Sequence, residues 1–197
     1  MSIPLTIVAP RGLRKLSVVL GLCTFIASVV SFSGWMFDIP RLTSWLDSEM
    51  STQPNTTVLI ALASIAILCI QYGYNRFAVV SGALVALGGG LNLLQYMFDA
   101  DFGFNHQLLF AREWGHTGTL TPGRFGPPAS IAFVLIGMSL MVLGLRDISA
   151  RRYVAAMALV VVLLMGFSLL GYLFGARDFY AIPWLSAIAL PSAIMLM

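Results

Sequence analysis

Five long apolar runs constrain this chain more than any single motif. They read as Leu16 to Phe37, Val58 to Tyr72, Phe77 to Phe98, Ala129 to Leu145 and Tyr153 to Phe174, and a sixth, Trp184 to Met197, is still apolar at the last residue. About 20 apolar residues in helical form cross the hydrocarbon core of a bilayer. In lipid every backbone polar group needs an internal partner, so only helices and closed barrels span. Period-two alternation of apolar and polar residues, the mark of a barrel strand, is missing. With 59% hydrophobic and 10% charged residues, the 197-residue chain also lies far from soluble-domain composition. The expected fold is all-α: a polytopic membrane bundle of about six transmembrane helices.

Lys and Arg accumulate on the cytoplasmic side of short loops. With the N-terminus cytoplasmic, the inner side holds Arg11, Arg14, Lys15, Arg76, Arg146, Arg151 and Arg152, against Arg41, Arg112, Arg124 and Arg177 outside. Acidic residues agree, all but Asp147 falling outside. Residues 1–15 then form a basic cytoplasmic N-terminus and residues 16–197 the bundle. The first run is longer than a signal-peptide core of about 7 to 15 residues and reads as an uncleaved span. The basic rim suits anionic lipid and not nucleic acid. Cys23 and Cys69 fall within spans, where they read as small apolar side chains.

Three segments repeat one pattern. An outward helix ends in "GWMFD" (34–38), "QYMFD" (95–99) or "GYLFG" (171–175). After an outer loop, the returning helix opens with "QPNTTVLIAL" (53–62), "GPPASIAFVL" (126–135) or "ALPSAIMLM" (189–197). Each unit reads as a helical hairpin. Trp35, Tyr96 and Tyr172 are placed for the outer membrane interface, and Pro54, Pro127 and Pro128 for helix starts, where a missing N–H costs nothing. Gly82, Ala86 and Gly90 on the third helix, with Gly171 and Gly175 on the fifth, offer flat faces for close helix contact. Asn92 and Gln95 read as amides that hydrogen-bond between helices.

The succession "LNLLQYMFDADFGFNHQLLF", "GRFGPPASIAFVLIGMSLMVLGL", "LLGYLFGARDFYAI" and "IALPSAIMLM" resembles the N-terminal membrane input region of bacterial sensor histidine kinases, often hybrid kinases with PAS domains, and of some diguanylate cyclases. The resemblance covers about residues 15 to 197. In that family the returning helix opens with Met-(Ser/Ala)-Pro-Asn-Thr-Ala. "QPNTT" keeps this in the first unit, whereas Pro128 stands where Asn is usual and Pro191 where His is typical. The resemblance implies a sensory module of the bacterial inner membrane, in contact with lipid and with further copies or other membrane subunits. Such kinases continue into catalytic domains, but this chain has no His-box helix, ATP-binding glycine motif or GGDEF-like sequence. A piece of a receptor or a short homologue is therefore expected, not itself an enzyme. The alternative is a non-catalytic accessory or scaffolding subunit of a larger membrane complex.

The one long polar stretch is the outer loop of residues 99–126. Its His106, Arg112, Glu113, Trp114 and His116 are the candidate ligand or sensing set. His106 and His116 lack the spacing of a helical metal motif, so no metal is assigned. Leu108, Leu109, Phe110 and Trp114 read as the apolar side of a surface helix. Neither a nucleophile elbow nor an ionisable group at mid-span supports a hydrolase or a transporter. The loop is expected to form an ordered cap.

Overall fold

Nineteen residues of helix reach about 28 Å at 1.5 Å per residue, enough to cross a hydrocarbon core of about 30 Å. Five helices in the computed structural model meet that length with membrane-like hydropathy. They are α1 (Arg11–Phe37), α3 (Pro54–Tyr72), α4 (Asn75–Phe98), α5 (Pro127–Leu145) and α6 (Arg151–Leu173). Among the described residues there are also two short helices, α2 (Pro40–Ser44) and α7 (Leu190–Leu196). The structure describes residues 11–45, 50–103, 112, 114, 123–146, 149–175 and 188–197. Among them no strand occurs, and the chain is a helical, multi-pass membrane bundle. Of the sixth apolar run only α7 and the three residues 188, 189 and 197 are described, and α7 by itself is too short to cross.

The spans are inside-out by soluble standards. Leu16, Leu20, Ile26, Leu87, Leu159 and Leu163 are all more than half exposed, as lipid-facing side chains must be. Many of the buried positions are instead small or polar, set around a few large side chains, Trp35, Ile60, Phe133 and Met165. α5 is the most enclosed span and α1 the least, so α5 sits centrally.

Its closest partner is α4, and glycine makes the approach possible. A Cβ at Gly82 would lie 2.9 Å from the Gly137 carbonyl oxygen; one at Gly89 would lie 2.7 Å from Phe133 Cβ and 2.8 Å from the Ser130 oxygen. Gly137 in turn faces the backbone of Ala86, and Gly144 faces Val79. The seam thus runs through Gly82, Ala86 and Gly89, not Gly90, where an added Cβ would meet only Val134 Cγ2 at 4.0 Å. Glycines seven apart on both helices, Gly82 with Gly89 and Gly137 with Gly144, return to the same face every two turns, whereas a strict four-residue step drifts off it. Gly171 is buried in α6. Gly175 lies beyond the end of α6, exposed and with open space where a side chain would go. It terminates the helix and packs against nothing described.

Candidate functional site at the capped end

The repeated pentapeptide ends each outward helix in the same way. Its last residue is left-handed in all three units, with φ of 62° at Asp38, 47° at Asp99 and 63° at Gly175. Asp and Gly tolerate that backbone, which turns the chain out of the helix. In the first two units the following N–H then donates to the carbonyl five residues back, Ile39 to Gly34 at 2.8 Å and Ala100 to Gln95 at 3.2 Å.

The returning helices also share one start. The residues before them, Gln53, Gly126 and Ala189, are all extended, with φ near −60° and ψ between 144° and 158°. Pro54 and Pro127 occupy the first turn as expected, and Pro191 that of α7. Just before each start, a buried carbonyl accepts a hydrogen bond from the outward helix of its own unit. Trp35 Nε1 donates to Thr52 (2.8 Å), Asn92 Nδ2 to Phe125 (2.6 Å) and Tyr172 Oη to Ile188 (2.8 Å). The polar side chain differs each time, but the clasp is the same. It satisfies a carbonyl that would otherwise be desolvated without a partner.

The three aromatics expected at the membrane interface are therefore turned inward. Trp35 is fully buried, Tyr96 is 9% exposed under the Arg124 guanidinium and Tyr172 is half-buried; the Trp35 indole and the Tyr172 phenol reach backbone partners, which lets them bury their apolar bodies as well. The rings that face outward are the phenylalanines two positions later, Phe37, Phe98 and Phe174, at 69%, 69% and 81% exposure.

Adjacent units are joined at this level. Asn55 Nδ2 donates to the Gly123 carbonyl (3.0 Å), and the Gly123 N–H donates to Gln53 Oε1 (3.2 Å), linking units one and two. Ser192 Oγ donates to Thr52 Oγ1 (3.1 Å), linking units three and one. Asn92 also donates to Ser130 Oγ on α5 (2.7 Å), the interhelical role expected of it. Where the three starts converge lies a cavity of about 20 Å³, bordered by Thr52, Gln53, Thr56 and Ser192, room for about one water.

The long loop supplies the remaining fastening. The last carbonyls of a helix lack ladder partners and carry the negative end of its dipole. Arg112 meets this need at α1: Nε and Nη2 donate to the Trp35 carbonyl at 3.2 and 3.1 Å, and Nη2 to that of Met36 at 3.0 Å. Its Nη1 lies 3.3 Å from Asp38. Trp114 donates to Asp38 Oδ1 at 2.7 Å and stacks on Trp35 with centroids 4.6 Å apart. At α4, Arg124 donates to the carbonyl of Ala100, two residues past the helix end (2.8 Å), and to the Gln95 side-chain Oε1 in its last turn (3.2 Å), over the Tyr96 ring. Arg124, Gln95 and the clasp side chain Asn92 were not singled out as a site from sequence; a basic residue ahead of the Pro-led start was the available signal.

Of the five candidate sensing residues, Arg112 and Trp114 thus meet at the end of α1 and hold the loop to it. His106, Glu113 and His116 lie outside the described residues, as do Leu108, Leu109 and Phe110. Among the described residues no three His, Cys, Asp or Glu side chains gather as a metal site.

Fold and site together define the class, a polytopic helical membrane protein of repeated hairpins clasped at one end. No protein-family model, curated protein or solved structure matches the chain.

Proposed function

We propose that the chain is the membrane-embedded input module of a bacterial signalling receptor of the two-component histidine-kinase type, residing in the inner membrane with the cap outside. One observation carries this reading. The polar loop is bonded to the end of α1 through Arg112, to the Gln95 side chain in the last turn of α4 through Arg124, and to the start of α3 through Gly123. A stimulus that binds the loop differently in two arrangements would bias helices that traverse the whole membrane, which is what transmission requires. The likeness of the repeated units to kinase input regions supports the same reading.

The test is a distance across the far end. Spin labels at Leu13 and Tyr153, both exposed and near the starts of α1 and α6, are compared between the parent protein and Arg112→Ala in lipid. A sensor input is expected to shift that distance by about 1–2 Å, the scale of helix movements in signalling transitions. Identical distributions would instead favour a static accessory or scaffolding subunit.

A further inference from the structure

At the opposite end from the cap, Arg11, Arg14, Lys15 and Val18 follow helical spacing and share one face of α1. That face looks onto the end of α3, where Arg14 Nη2 donates to the Gln71 carbonyl at 2.7 Å. Between the two helices lies an open cleft of about 520 Å³ lined by Arg11, Arg14, Lys15, Val18, Val19 and Tyr72, within the roughly 300–1,000 Å³ of small-ligand sites. Further along the helices it closes at Gly21, where an added Cβ would come within 3.4 Å of Ile67 and Leu68.

Charge and polarity are graded along this cleft. The cations lie at its mouth, the valines one turn deeper, and the apolar strip continues along α1 through Leu22 and Ile26, 48% and 53% exposed. The described carboxylates, Asp38, Asp99 and Asp101, all belong to the capped end of the helices. The cleft's positive charges therefore have no described counter-ion, and Arg14 alone among them is engaged, by a helix-end carbonyl.

We propose that this cleft binds one anionic phospholipid, its phosphate against Arg11 and Lys15 and an acyl chain along Val18, Val19, Leu22 and Ile26. A basic recess between membrane helices at an anionic leaflet is suited to such a headgroup. A soluble phosphate would match the cations but leave the apolar strip unused.

Native mass spectrometry of the purified protein, offered phosphatidylglycerol and phosphatidylcholine in equal amounts, tests this. Phosphatidylglycerol is expected to be retained in preference by about tenfold or more. Arg11→Gln with Lys15→Gln, which keeps Arg14 on α3, is expected to weaken that binding about 25-fold, near fivefold per cation. Arg151→Gln with Arg152→Gln removes the same charge from the start of α6, outside the cleft, and is expected to change it less than about twofold. Equal losses in the two double variants would show diffuse attraction and overturn the site. So would the absence of a preference for phosphatidylglycerol, or displacement of the lipid by millimolar glycerol phosphate, which would mark a free-phosphate site.

Discussion

At φ of 62° and 47°, Asp38 and Asp99 hold a backbone conformation that most side chains resist. Aspartate is tolerated there, and glycine, found at the equivalent position 175, is unstrained. Asp99→Gly is expected to leave thermal stability in detergent unchanged or slightly raised, whereas Asp99→Val should destabilise by about 1–2 kcal/mol; equal melting curves for the two would refute the shared turn. The aromatic one turn earlier carries a second test. Trp35→Phe keeps the ring but removes the N–H that satisfies the Thr52 carbonyl. A loss of about 1–3 kcal/mol is expected from the orphaned buried acceptor, read as a lower melting temperature. The sequence marked Trp35, Tyr96 and Tyr172 as a repeated feature but not their direction, since an amphipathic ring suits an interface and a buried clasp equally well. The location of the Thr52 and Ile188 carbonyls decides for Trp35 and Tyr172, and that of the Arg124 guanidinium for Tyr96.

Helices were legible to within a few residues, and the error has a physical cause. The described helix ends at Phe37, Tyr72, Phe98 and Leu145 coincide with the ends of the apolar runs, but the starts fall two to five residues earlier, at Arg11, Pro54, Asn75, Pro127 and Arg151. Hydropathy detects what lipid tolerates, and the first turns carry polar residues that it scores low, Thr56 and Thr57 buried against protein in α3 and Arg76 and Arg151 exposed in α4 and α6. Short α2 has too few residues to leave a periodic signal. Packing registers are harder still: a four-residue repeat of small residues suggests Gly90, while the observed seam takes Gly89. Gly137→Leu is accordingly expected to cost at least about 1–3 kcal/mol by forcing α4 and α5 apart, and Gly90→Ala almost nothing. Comparable losses from both, by thermal unfolding in the same detergent, would place the seam elsewhere.

On the scale of the whole molecule, the bundle is fastened at one end by polar bonds and held in its middle by small residues and shape. The candidate site was legible as a location, because a long polar loop in a greasy chain draws attention, but not as a set of roles. Arg112 and Trp114 read as ligand groups until their partners 76 and 77 residues earlier are seen. Deleting His106 to Thr121 removes both, and is expected to lower the melting temperature by about 5 °C or more; an unchanged melting curve would make the loop slack. The central claim is that the three hairpins share a single clasp, and hydrogen exchange of three equivalent amides tests it most directly. Thr57, Ser130 and Ala193 each donate to the residue that precedes a returning helix, Gln53, Gly126 and Ala189. In Trp35→Phe, the account predicts faster exchange at all three, although only the first belongs to the altered unit. Acceleration confined to Thr57 would contradict it, leaving three hairpins that share a membrane but not a mechanism.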